Sequence, residues 1–260
     1  MTPDATAAWL AHLPAWSFAF MLVLARFGAA MAVLPGLGEA TVPAVVRVGL
    51  ALGVTVLLLP DILPLVPPMP DAGLTAAGMI IAEVVTGLWL GWLARLFCLA
   101  LPVAAQFIAY LLGISSVLQP DAEMGPQTTA LAALFGLAAP LAILVSGLYA
   151  LPLTALAGSY RLIPPGTLLP TADSTAMSVD LVAQTFSLSL RLASPFIVAS
   201  IVWHVAIGLI ARLVPRLQIY FISMPGQIVG GLVLLASLFG VILASWQDAV
   251  RDGLAALPGN

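Results

Sequence analysis

Seven apolar runs, at about 14–35, 42–66, 74–98, 99–118, 127–157, 180–211 and 219–246, are nearly free of charge. Each approaches or exceeds the ~20 residues that a helix needs to cross a bilayer. At that depth no water satisfies a backbone N–H or C=O, so a chain built from such runs must close its hydrogen bonds internally. The predicted fold is therefore an all-α integral membrane protein, read as a single helical membrane unit over 1–260. Composition gives the same answer. Only 7% of the 260 residues are charged and 62% are hydrophobic, with a mean hydropathy of +1.14, whereas a soluble domain carries about 25% charged residues. Eight basic and eleven acidic residues are too few to coat a soluble core of this size.

Charge excludes little else. A net charge of −3 selects no partner, and the absence of a basic run argues against nucleic acid. All eight basic residues are arginines, and the one cysteine, Cys98, lies within an apolar run; it reads as a small packed hydrophobe. The N-terminal stretch has no basic residue before Arg26, which predicts an uncleaved first span and not a removable signal peptide.

Short segments rich in Pro, Gly and Asp punctuate the runs. "PDILPLVPPMPD" (60–71) predicts an extended loop or cap, and "GSYRLIPPGTLLPTADST" (158–175) is the longest connection of ordinary loop composition. Arginines near span ends mark the cytoplasmic side: Arg26 and Arg47 around the first turn, Arg95 after the third run, Arg212 and Arg216 in the last hairpin. Asp61, Asp71 and the N-terminus then lie outside. This count requires an odd number of net crossings between 99 and 157, although two runs fall there, so one is expected to be re-entrant or bent. The polar, proline-bearing stretch "GISSVLQPDAEMGPQ" (113–127) is expected at membrane depth against protein or pore water, where irregular backbone is tolerated.

Catalytic and metal motifs are missing: no HExxH, Walker loop or GxSxG elbow occurs, and His12 and His204 are far apart. The expectation is a protein that is not an enzyme, with neither cofactor nor metal. His204 reads as a proton relay or a helix-packing hydrogen-bond donor, and the packing reading leads. Glu83 is more demanding, because a carboxylate inside an apolar run is expensive. It is either a proton or ion site, or a structural group bonded to a neighbouring subunit, to Arg95 or to Arg26. The structural reading leads, since a proton path needs a chain of titratable groups and no second carboxylate shares that run. Gly87 and Gly91 follow Glu83 at intervals of four and share its face, a small-xxx-small surface for close helix packing.

Three stretches then carry a resemblance: "ARFGAAMAVLPGLGEATVPAVVRVGLAL" (25–52), "EVVTGLWLGWLARLFCLALPVAAQFIAYLLGISSVLQPDAE" (83–123) and "GLIARLVPRLQIYFISMPGQIVGGL" (208–232). Together, with Arg26, Pro35, Pro43 and Arg47 in order, the Glu-xxx-Gly-xxx-Gly helix, Gln119-Pro120-Asp121, and Arg212 with Pro215 in the hairpin, the chain resembles the FliR family from about 16 to 246. The resemblance implies bent helical hairpins, with a FliP-like part at about 14–175 and a FliQ-like hairpin at about 178–250. It implies a structural and gating subunit of the flagellar type III protein export gate, forming the pore with FliP and FliQ. FlhB, FlhA, unfolded export substrates and membrane lipid are the further implied partners, in the bacterial inner membrane at the flagellar basal body. The implied pore plug is the loop at about 110–126, with Tyr110, Leu111, Val117, Leu118, Gln119, Pro120, Asp121 and Met124 as candidates. Gln119 replaces the acidic residue common in the family, and small Ser115 and Ser116 stand where bulkier residues are frequent. The alternatives are the same role in a virulence-type injectisome, or a secondary transporter or proton channel using Glu83.

Overall fold

The computed structural model describes residues 3–114, 129–213 and 219–260. Among these residues seven helices follow one another: α1 (Pro3–Met31), α2 (Ala44–Ile62, continued by a 3-10 turn at Leu63–Leu65), α3 (Gly73–Leu111), α4 (Ala130–Val145), α5 (Ala150–Leu162), α6 (Thr171–Leu213) and α7 (Ile219–Ala255). The protein is an all-α integral membrane protein. Among the described residues, α1, α2, α3, α6 and α7 are long and apolar enough to cross a bilayer, and α4 with α5 forms a pair bent by 71°.

Several expectations from the sequence need correction. The runs at 74–98 and 99–118 are not two spans, because α3 continues through Arg95 and Pro102 to Leu111. Arg95 therefore does not mark a helix end. Its guanidinium donates to the Val33 carbonyl at 3.2 Å and to Glu39 at 3.3 Å, so the charge is met without the helix stopping. The run 127–157 is instead broken, after Val145, by a turn through Gly147 at φ +75, which is where the anticipated bend falls. The prolines of 60–71 do not exclude helix, since α2 carries Pro60 within it and ends two residues later. The connection at 158–175 shrinks to 163–170, because Ser159, Tyr160 and Arg161 stay helical and Thr171 already begins α6. The prediction of length failed here because polar residues at these helix ends satisfy backbone groups. Ser159 Oγ donates to Leu156 O, and Ser174 Oγ to Pro170 O.

Helix lengths exceed the membrane. At 1.5 Å per residue α3 and α6 are about 58 and 64 Å long, roughly twice the hydrocarbon thickness. In α6 the charge-free stretch 192–211 lies between Arg191 and Arg212, about one bilayer's worth of helix. The apolar window of α3 is 61% buried within the chain, whereas those of α6 and α7 are 11% and 17% buried. Thus α3 serves as core, and α6 and α7 turn their apolar surface outward.

The chain forms two compact units. The first comprises Met1–Arg95, Ile143–Asp180 and Arg251–Asn260. Its core takes Leu22, Val23, Phe27 and Ala30 from α1, Ala82, Leu90 and Leu93 from α3, and Leu156 and Tyr160 from α5, each set recurring at helical spacing. Trp89 donates to Ser178 Oγ at 3.0 Å, and Asn260 bonds Thr154 at 2.7 Å. The second unit comprises Leu96–Ala142 and Leu181–Val250. There Leu101, Ala105 and Ile108 of α3, Phe135 and Ala139 of α4, Ala193 and Phe196 of α6, and Ile242 and Trp246 of α7 are buried. Edge-to-face pairs join Phe107 to Phe186 and Phe135 to Phe239. Ser189 and Trp246 donate to the α3 carbonyls of Ala100 and Phe97.

Candidate functional site

At the centre of the first unit is a buried ion pair. Arg26 of α1 and Glu83 of α3 both have no exposed side-chain surface. Nε of Arg26 donates to Oε2 of Glu83 at 2.7 Å, and one terminal amino group to Oε1 at 3.0 Å. This two-pronged fit uses the fixed fork of the guanidinium. Two further N–H groups are met by Ser159 Oγ at 3.0 Å and the Ile163 carbonyl at 3.0 Å. Glu83 Oε1 also accepts the Gly166 amide at 2.7 Å. The Tyr160 ring lies 3.9 Å beneath the guanidinium carbon, and Phe27 stacks against that ring. One charge pair therefore ties α1, α3, the end of α5 and the 163–166 connection together. Of the partners weighed from sequence for Glu83, the structure places Arg26 there and commits Arg95 elsewhere. Ser159, Tyr160 and Gly166 were missed; a serine and a tyrosine in a polar-looking segment carry no signal that distinguishes a ligand of a buried arginine from a loop residue.

Gly87 and Gly91 continue the same face of α3, and it meets α1 of the same chain. A Cβ at Gly87 would overlap the Arg26 carbonyl, and one at Gly91 would lie 2.9 Å from the Ala30 carbonyl. Backbone-to-backbone approach of this kind is what small residues permit in membrane helices.

The second unit holds both stems of the expected gating loop. Tyr110, 60% exposed, and half-buried Leu111 end α3, and the chain turns away at Gly113 with φ +72, a backbone region that favours glycine. Gln227 of α7 donates to the Leu111 carbonyl at 2.9 Å, and Gly231 gives Leu112 its space on α7. On the return stem, Thr129 donates its amide and hydroxyl to Gln106 Oε1 at 3.2 and 3.0 Å. The same hydroxyl accepts the Ala132 amide at 3.2 Å, capping α4 as N-terminal threonines do. Val117, Leu118, Gln119, Pro120, Asp121 and Met124 lie outside the described residues. The stems make a prediction of their own. Thr129→Val should weaken the first turn of α4 by about 1 kcal/mol, hence roughly fivefold faster amide exchange at Ala132 and Ala133. Exchange unchanged there would remove the capping role.

The other motif residues lie at helix ends and turns or outside the described residues. Pro35 is buried in the α1–α2 turn, and Pro43, at φ −57 and ψ 139, immediately precedes α2, as proline's fixed φ suits it to do. Arg47 is half-buried, its Nε without a partner among the described residues. Arg212 is exposed in the last turn of α6, and Pro215 lies outside the described residues. Among the described residues His204 does not bond to a neighbouring helix. It is exposed, with Nδ1 2.7 Å from the Ser200 carbonyl of its own helix.

Similarity extends over nearly the whole chain. Residues 17–253 match the family described as bacterial export proteins, family 1. The flagellar biosynthetic protein FliR of Caulobacter vibrioides is 34% identical over 89% of this chain and 92% of its own length. Those of Bacillus subtilis and Escherichia coli K12 are each 25% identical, over 86% and 90% of this chain and 87% of their own lengths. With a family match over 17–253 that reaches into both units and every described helix, the chain belongs to the FliR family of bacterial export proteins.

Proposed function

We propose that this protein is a structural and gating subunit of the flagellar type III export gate, without catalytic activity, which forms a pore with FliP and FliQ and contributes its plug. The observation that carries the reading is end-to-end similarity to proteins named as flagellar biosynthetic FliR. In this reading FlhB and FlhA are neighbours, unfolded substrates pass through the pore, and the assembly resides in the inner membrane at the basal body. The part at about 14–175 takes the place of a FliP-like element and the hairpin at about 178–250 that of a FliQ-like one.

Two features support it. The outward apolar surfaces of α6 and α7, on helices longer than the bilayer is thick, suit a chain covered by other subunits as well as by lipid. The residues flanking 115–128 on either side are each hydrogen-bonded to neighbouring helices, which suits a plug that must hold its place. The buried pair, in contrast, gives little support to a proton channel: Arg26 and Gly166 already occupy both oxygens of Glu83.

The test has two arms. Affinity purification from native membranes followed by intact-complex mass spectrometry should give one copy of this chain with several copies of two other small hydrophobic proteins; a monomer or homodimer would refute the assignment. Deleting residues 116–121, which spares both stems, should leave that complex assembled while making membranes leaky to small ions and metabolites. A tight membrane around the assembled variant would refute the plug.

A further inference from the structure

Away from the gating segment, a cavity of about 280 Å³ opens between the C-terminal ends of α2 and α5 in the first unit. That is several times the ~30 Å³ share of one water molecule. Three polar side chains line it, none with a side-chain hydrogen-bond or ion-pair partner among the described residues. Asp61 of α2 and Arg161 of α5 are both exposed and, among the described residues, neither is in an ion pair. Tyr160 is only 1% exposed, and its hydroxyl has no hydrogen-bond partner among the described residues. A buried hydroxyl left so is costly and implies a missing acceptor or donor. The Tyr160 ring packs under the Arg26 guanidinium and against Phe27, which fixes where the hydroxyl points. Leu58, Ile62 and Leu65 supply an apolar wall.

We propose that this cavity binds a phosphoethanolamine zwitterion. A guanidinium fork matches phosphate oxygens, the carboxylate of Asp61 matches a primary ammonium, and the Tyr160 hydroxyl donates to a phosphate or ester oxygen between them. Both charges belong to one ligand, which explains how opposite residues line a common cavity without pairing with each other. Depth selects the same chemistry. The 19 residues of α2 rise about 28 Å, one hydrocarbon thickness, which puts Asp61 near headgroup level, with Leu58 one turn nearer the acyl region. A phosphatidylglycerol headgroup would leave Asp61 without a cation. A serine headgroup would bring an additional carboxylate against Asp61.

The shared headgroup chemistry is available both in phosphatidylethanolamine and in soluble glycerophosphoethanolamine, and one experiment separates them. Delipidated full-length protein, in whatever complex it purifies, is equilibrated with micelles containing equal phosphatidylethanolamine and phosphatidylglycerol, then examined by native mass spectrometry. One phosphatidylethanolamine should be retained per chain, at least fivefold over phosphatidylglycerol. Asp61→Asn and Arg161→Gln, both at exposed positions, should each abolish that preference, and Tyr160→Phe should weaken retention severalfold. Displacement by millimolar glycerophosphoethanolamine would keep the zwitterion site and assign its occupant to the soluble pool; resistance assigns it to the lipid. Equal retention of the two lipids, no retention, or a preference unmoved by Asp61→Asn and Arg161→Gln in chains that keep the parental melting temperature would overturn the proposal.

Discussion

Glu83→Leu should lower the stability of the detergent-solubilised protein by roughly 3–5 kcal/mol, the usual cost of removing one member of a buried ion pair. The penalty comes from what stays behind. Arg26 retains its full charge in a site with no exposed surface, and the Gly166 amide loses its acceptor. Thermal unfolding followed by size-exclusion chromatography checks this directly; a melting temperature within a degree or two of the parent would mean that water reaches the pair and that the cluster is not sealed. The double variant Arg26→Met, Glu83→Leu discriminates further. Were the pair the whole story, two well-fitting apolar side chains would restore stability or exceed it. Here the Ile163 carbonyl and the Gly166 amide depend on the pair, and each unsatisfied backbone group costs about 1–3 kcal/mol. The double variant is therefore expected to recover only part of the loss, with the 163–170 connection becoming the first site of proteolysis.

How much of this was legible beforehand follows from the type of interaction. Apolar length identified most of the spanning helices, since the bilayer imposes one solution on the backbone, but it divided α3 in two and merged α4 with α5. Glu83 was identifiable as costly, and Arg26 was among its candidate partners, because a lone carboxylate in an apolar run needs a cation. The rest of the cluster was hidden. Ser159, Tyr160 and Gly166 sit where prolines, glycines and polar residues look like a loop, and only the fold brings them within 3 Å or so of groups more than eighty residues away. Arg95 misled for the complementary reason: an arginine read as a span end is accommodated mid-helix once Glu39 and the Val33 carbonyl reach it. The stems on either side of 115–128 were equally opaque, as the Thr129–Gln106 bond and the bond from Gln227 to the Leu111 carbonyl join positions with no sequence pattern between them.

The glycine seam gives the second large effect, and it is coupled to the first. Gly87→Ala should be severely destabilising although it adds one methyl group and alanine is the better helix former by about 1 kcal/mol. The added carbon would overlap the Arg26 carbonyl, which belongs to helix backbone and cannot move aside as a flexible side chain would. Overpacking of a tight core typically costs 1–3 kcal/mol. Relief by separating α1 from α3 would also stretch the Arg26–Glu83 fork, whose bonds of 2.7 and 3.0 Å fix the same spacing. Gly91→Ala meets the Ala30 carbonyl at 2.9 Å and should be milder. Gly78, on the same helix with nothing near its added carbon, is the control, and Gly78→Ala should be neutral or slightly stabilising. The expected order of melting temperatures is thus Gly78→Ala, then Gly91→Ala, then Gly87→Ala. If Gly87→Ala melted with the parent, α1 and α3 would have slack between them, and the ion pair could not be what sets their distance. In an added Glu83→Leu background, where the fork no longer fixes that spacing, Gly87→Ala should cost less than it does alone; equal costs in both backgrounds would show that seam and ion pair act independently.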